Sequence, residues 1–357
     1  MPDLTLDAIG THVSVSGDAD ALRVIAADWS RCVRQEGPAD LGVVSVDAVG
    51  QGKQASTPWL ASRITREGIE GLAGRQVLLH ACGLSLDDGR VLVLVGPSGA
   101  GKSTASVALC RRSFGYVSDE TVAIDSDFAV TPYPKPLLIR NDSTVPKDVV
   151  GPDELGLRPH AENLSVTRLV LLRRDGTDLA QLSPVPLIDA ILALVPESSA
   201  LARLDDPLAS VCRLIDRCGG VRTLHYSEIA DAEPLLRHLM DEDTGVTEEW
   251  VQLSVHPRAR PGELKAGTPW FVASAVQDAI QVGDEVLLLH GSRPVRLQGI
   301  GATLWLACRE GATESALSDA VIAAHGHHPE AERIVAAAIA ELVDRGVLLM
   351  DPPNSEG

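Results

Sequence analysis

Residues 80–124 read HACGLSLDDGRVLVLVGPSGAGKSTASVALCRRSFGYVSDETVAI. At its centre, Gly96-Pro97-Ser98-Gly99-Ala100-Gly101-Lys102-Ser103 fits G-x-x-x-x-G-K-[ST] without deviation. The apolar run VLVLV precedes it and STASVALC follows, which is the strand–loop–helix context the motif requires. Glycines let successive backbone N–H groups turn inward around phosphate oxygens, and the helix presents its positive end to the same anion. Lys102 is expected to reach the outer phosphates, and the Ser103 hydroxyl is placed to hold Mg²⁺. Thr104 extends the expected nucleotide-binding set by one residue. The chain has only five lysines (53, 102, 135, 147 and 265), so a lysine at this position is not a product of abundance.

Working outward, two β-rich runs, QVLLHACGLSL and RVLVLVG, flank Asp87-Asp88-Gly89 and predict a hairpin. One helix beyond the loop, YVSDETVAID predicts a short strand carrying Asp119 and Glu120. A carboxylate at a strand end beside a phosphate site can hold Mg²⁺, directly or through water. It can also accept the proton of an attacking hydroxyl. Two adjacent acids allow both, although a solvated Asp-Glu turn is the plainer reading. A Pro-rich stretch, TPYPKPLLIR, comes next, and TRLVLLRR predicts a buried strand. Segments 186–194 and 207–218 read as helices.

The run from His80 to Ile124 resembles the HPr kinase/phosphorylase family and, more broadly, the phosphoenolpyruvate carboxykinase-like P-loop group. In that family a histidine-bearing strand and a hairpin precede the loop, and an acid pair follows its helix. The resemblance implies an α/β P-loop kinase-like domain with ATP and Mg²⁺ as cofactors. It places His80 at the family's histidine, Asp119 at the general base that activates a substrate hydroxyl, and Glu120 at the second acid, a metal ligand with Ser103. With Lys102, Asp119 and His80 form the expected catalytic set. A buried, hydrogen-bonded strand histidine is an equal reading of His80. The family's glutamate-arginine-glycine stretch is replaced by HAENLSV, and its regulatory N-terminal domain is not recognisable. HPr is therefore not the expected substrate. Shorter members found with peptide natural-product clusters are closer, and in those a proline-and-lysine segment follows the acid strand. Lys135 or Arg140 would then meet a phosphate or peptide; a Pro-rich surface loop is the alternative.

Charged residues, Pro and Gly without apolar period mark a boundary near 246–267. After it come short strands with turns at VGDE and HGSRP, three helical patterns and a last short strand, a winged-helix order. DNA is not the expected partner: residues 247–357 carry 8 basic and 15 acidic side chains, and TESALSDAVIAAHG has no Lys or Arg. The runs VGDEVLLLHGSRPVRLQGIGATLWLACREGATESALSDAV and AAAIAELVDRGVLL resemble the PqqD-like family, the RiPP recognition element. That resemblance implies a small α+β domain that binds the leader of a ribosomally made precursor peptide by strand addition. The expected contacts are Asp284, Glu285, Val286, Leu287, Leu288 and Leu289 on the strand, with Arg333, Ala337 and Glu341 on the last helix. A purely structural winged helix is the alternative.

These readings give three segments: a kinase-like domain over 1–245, a linker over 246–267 and a peptide-binding domain over 268–352. The expected activity is ATP-dependent phosphorylation of a Ser or Thr hydroxyl on a precursor peptide, with other peptide-maturation enzymes as further partners. A non-kinase ATP-binding partner, or a leader-peptide chaperone, stays open. Composition agrees with a globular protein, at 45% hydrophobic and 22% charged residues. The net charge of −18 opposes non-specific binding to nucleic acid or anionic lipid. Aromatics at 3% leave few stacking platforms for single strands. No apolar run reaches membrane-spanning length and no secretory leader is recognisable, so a cytoplasmic protein is expected. Six scattered cysteines without a CxxC pair suit thiols in a reducing compartment rather than a zinc site.

Overall fold

The computed structural model describes residues 3–34, 41–45, 57–139, 148–177, 179–254 and 268–350. The chain divides into two compact units: Met1–Leu204 with Ser210–Thr247, and Asp205–Ala209 with Glu248–Gly357. Among the described residues no helix is long and apolar enough to cross a membrane.

The first unit opens with a hairpin, β1 (Asp3–Ala8) and β2 (Thr11–Ser16), and β3 (Leu41–Ser45) runs parallel to β2. Ile9 and Gly10 both have positive φ, as a two-residue hairpin turn requires. Helices α1 (Ala19–Asp28) and α2 (Pro58–Leu72) start at Asp18 and Thr57, whose side-chain oxygens accept from N–H groups of the first turn. Their apolar faces bury Ile25, Leu60 and Ile64 with Leu6, Val13, Trp29 and Tyr133.

The next strands are divided between two sheets. A four-stranded sheet has the order β14 (Ser198–Ser199), β4 (Val77–Leu79), β8 (Val122–Ile124), β9 (Val130–Thr131). A six-stranded sheet has the order β13 (Gln181–Val185), β15 (Val221–Tyr226), β12 (Ser165–Arg174), β6 (Arg90–Val95), β5 (Ala81–Ser85), β7 (Gly115–Ser118). Strands β6, β12 and β15 are mutually parallel, so their C-terminal ends share one edge. A short pair, β10 (Leu137–Ile139) and β11 (Asp148–Val150), stands apart. Helices α3 (Lys102–Cys110), α4 (Leu187–Leu194), α5 (Pro207–Arg217) and α6 (Glu233–Asp241) complete the order. Leu84, Leu92, Leu94, Leu109, Phe114 and Leu224 form the core between α3, α6 and the large sheet.

The hairpin expected around Asp87-Asp88-Gly89 is β5–β6, with Ser85 opposite Val91. Two runs read as continuous are each broken once. His80 separates β4 from β5: its N–H donates to Glu197 O, in register with the β14–β4 pairing, and the next N–H, of Ala81, turns to Glu120 O. Asp119, Glu120 and Thr121 separate β7 from β8, and the Ser118 hydroxyl accepts the N–H groups of Glu120 and Thr121. Since β4 pairs with β8 and β5 with β7, both chains change sheets at the same level.

In the second unit, β16 (Trp250–Gln252), β18 (Asp278–Val282), β19 (Glu285–His290) and β20 (Arg293–Leu297) form an antiparallel sheet in that order. Gly283-Asp284 and Gly291-Ser292 make its two-residue turns. A second sheet has the order β21 (Ala312–Thr313), β17 (Trp270–Ala273), β22 (Leu348–Met350). Helices α7 (Gly299–Cys308), α8 (Glu314–His325) and α9 (Ala331–Asp344) bury Leu304, Trp305, Leu317, Val335 and Ile339 against Val286 and Leu288. The stretch read as a linker contains β16, and residues 255–267 of it lie outside the described residues.

All six cysteines are buried and none forms a disulfide. Burial pushes the thiols of Cys82, Cys218 and Cys308 up to about 12. At pH 8 the native chain should therefore give no rapid reaction with a disulfide reagent, and six equivalents once unfolded. A fast-reacting thiol in the native protein would show that this packing is wrong.

Candidate functional site

The loop after β6 closes over the N-terminus of α3. Gly99 and Gly101 lie at φ +89° and +99°, conformations that a side chain resists. A Cβ on Gly101 would also sit 2.9 Å from the Tyr226 hydroxyl. That hydroxyl, at the end of β15, donates to Ala100 O at 2.7 Å and fixes the last turn of the loop. Lys102 is buried, and its ammonium donates to Gly96 O and to Pro97 O, the latter at 3.3 Å. Burial lowers its pKa from the ordinary lysine value, and the Glu197, Asp119 and Glu120 carboxylates oppose that shift.

Beside the loop is a cavity of about 480 Å³. His80, Lys102, Ser103, Asp119, Glu120 and Lys135 all line it, as do Ser98, Gly99, Gly101 and Thr104. Gly96, Pro97 and Ala100 serve it through their carbonyls, as holders of Lys102 and acceptor for Tyr226. The Ser103 hydroxyl donates to Asp119 Oδ2 at 2.8 Å, which joins the helix end to the acid pair. His80 is half-buried in the break between β4 and β5. The apolar part of the cavity's lining comes from Val107, Leu138 and Ile139.

Lys135 differs from its expected role. Its side chain is 1% exposed. The ammonium lies 3.0 Å from Asp119 Oδ1 and 3.0 Å from Glu120 Oε2, and donates to Pro136 O at 3.0 Å. An ammonium has three protons, so in this arrangement none is left for a phosphate. Burial disfavours its charge, but the two carboxylates outweigh that and hold it above the ordinary lysine range. Arg140 lies outside the described residues.

Three residues were missed by the sequence reading. The Tyr116 hydroxyl is 3.1 Å from Asp119 Oδ1 and 3.0 Å from Lys135 O. Burial raises its pKa well above the ordinary phenol value, and Asp119 adds to this. Tyr226 and Glu197 come from distant segments, and no motif marks them. A tyrosine three residues before an acid was the one local signal available.

The expected peptide strand needs correction. Residues Glu285 to Leu289 belong to β19, which has β18 on one side and β20 on the other. Its backbone has no open edge, and Val286, Leu287, Leu288 and Leu289 are buried. Among the described strands the sheet ends at β20 and β16. Asp284 is exposed in the turn before β19, and Glu285 pairs across the sheet with Arg296 of β20. Arg333, Ala337 and Glu341 are exposed and follow helical spacing along α9, opposite the buried Val335, Ile339 and Leu342.

No family model matches the chain, and no curated protein matches it in sequence.

The loop geometry gives a test. Gly101→Ala forces a side chain into positive φ and against the Tyr226 hydroxyl, and should cost about 1–3 kcal/mol in urea unfolding. In a Tyr226→Phe background the same change should cost less, since one obstacle is gone. Strict additivity of the two substitutions would rule out the contact.

Proposed function

We propose that the first unit is an ATP-dependent phosphotransferase. Its acceptor would be a serine or threonine hydroxyl on a ribosomally made precursor peptide, with the leader held by the second unit. The observation that carries this reading is the Ser103–Asp119 hydrogen bond at 2.8 Å inside a cavity that also contains Lys102. It supports a reading in which the loop lysine, the Ser103 hydroxyl and the Asp119 carboxylate act on one phosphoryl group.

The loop N–H groups and the end of α3 take the phosphates, and Lys102 leaves its carbonyl partners to follow the outermost one. Ser103 and Glu120 would hold Mg²⁺, since both offer the hard oxygen atoms that this cation prefers. Phosphate oxygens would complete the shell, since this cation is commonly held by one or two protein oxygens together with substrate phosphates. When bound, Mg²⁺ supplies charge that offsets the negative phosphoryl oxygens.

Asp119 Oδ1 faces Lys135 and Tyr116, and Oδ2 accepts Ser103. A carboxylate has about four acceptor positions, which leaves one on Oδ2 for an incoming hydroxyl. The proton passes to Asp119, the acceptor oxygen bonds to the γ-phosphorus, and the bond to the β-phosphate oxygen breaks to release ADP. The apolar wall of Val107, Leu138 and Ile139 suits an uncharged acceptor side chain.

For the leader, β20 replaces β19 as the docking edge. Strand addition there uses backbone hydrogen bonds, and holding the leader raises the local concentration of the core hydroxyl.

Mass spectrometry of the full chain with ATP, Mg²⁺ and the precursor peptides encoded beside it tests this directly. The expected result is one added phosphate on a peptide. Asp119→Asn should leave nucleotide affinity nearly unchanged and cut transfer by about 10²–10⁴-fold. Equal transfer by that variant would remove Asp119 from the role of base. Leader affinity for the full chain should change by less than about threefold between 50 and 200 mM salt, because it does not depend on counterion release. Tight, steeply salt-dependent DNA binding would instead make the second unit a nucleic-acid module.

A further inference from the structure

Lys135 does more than line the cavity. Two carboxylate oxygens and one carbonyl oxygen surround its nitrogen, each at 3.0 Å. These are hard oxygen ligands of the kind that a divalent cation takes, gathered around an ammonium. The segment carrying it is held on several sides. The Lys135 N–H donates to Tyr133 O at 2.8 Å, and its carbonyl lies 3.0 Å from the Tyr116 hydroxyl. The Tyr133 ring is buried beside Trp29, and its hydroxyl is 3.0 Å from Thr65 Oγ1 on α2. The ammonium is thus fixed between the acids rather than aimed at the open part of the cavity.

We infer that Lys135 is the resident counter-cation of the Asp119–Glu120 pair. It fills the position between the two carboxylates, so the protein alone takes up no divalent metal there, and the metal enters the cavity only as a complex with the nucleotide. Lys135 is a positioning residue on this account, because it acts through the acids and has no donor left for the phosphates. The inference deepens the phosphotransferase reading and rests on it for the identity of the ligand.

Two opposite effects follow from removing the charge. Without Lys135, two adjacent carboxylates stand uncompensated, which favours a metal ion and disfavours a bare polyphosphate. The experiment uses the full chain, with Mn²⁺ as the metal probe, read by the loss of its free electron-paramagnetic-resonance signal. Nucleotide-free wild type should show no saturable Mn²⁺ site, and should gain one when ATP is added. Lys135→Met and Lys135→Gln should bind Mn²⁺ without nucleotide at least about tenfold more tightly than wild type, equivalent to about 1.4 kcal/mol. The same variants should bind ATP in EDTA more weakly than wild type. Loss of fold would weaken both, so the opposed signs are specific to a displaced cation.

Saturable Mn²⁺ binding by nucleotide-free wild type overturns the inference, even if neither variant folds. Folded variants whose Mn²⁺ affinity does not rise overturn it as well. Failure of wild type to bind ATP with Mg²⁺ instead overturns the phosphotransferase reading, and the nucleotide-free arm still decides the role of Lys135.

Discussion

The N–H of Ala81 donates to the carbonyl of Glu120 at 3.2 Å, and this bond marks where two strands leave one sheet for another. A continuous strand would have alternated His80 and the acids between the two faces of one sheet. The paired break instead gathers them at one level, beside the end of β6 where the glycine loop begins. The cavity thus lies at the C-terminal ends of parallel strands, the place where open α/β sheets leave a crevice. Ser103, from the helix, reaches across to Asp119 and connects loop and break.

Two buried lysines meet at this cavity and solve the same problem differently. Lys102 rests on neutral carbonyls, which hold a cation less strongly than full negative charges do. Lys135 rests on full negative charges at 3.0 Å. Removing one member of such a buried pair leaves the other uncompensated, which typically costs about 3–5 kcal/mol. One lysine is therefore held by backbone oxygens and the other by two carboxylates.

The features that were legible in the amino-acid order are local ones. The glycine spacing, the β5–β6 turn at Asp87-Asp88-Gly89 and the helix after Gly101 each depend on neighbours in sequence. Asp119 was found through its distance from Ser103, because one helix and one strand return the chain to the loop. Lys135 was found as a residue, but its partners were not legible, since they are two acids sixteen and fifteen positions away that only the fold brings to it. Tyr226 and Glu197 gave no signal, because sheet order, not sequence spacing, brings them in. The same reason hid the interior place of β19: both it and β20 are short, and only the hydrogen-bonded order shows that β20 is the outer one of the two.

The N-terminal sheet carries no recognisable chemistry, yet its helix α2 and Trp29 pin Tyr133, two residues before Lys135. The segment that can be recognised by motif is consequently smaller than the segment that holds Lys135 and the acid pair in place. A piece cut at the start of the phosphate-loop region would keep every signature residue and lose the floor beneath the acid pair. In this protein the support of a single ammonium group reaches well beyond the motif-bearing segment.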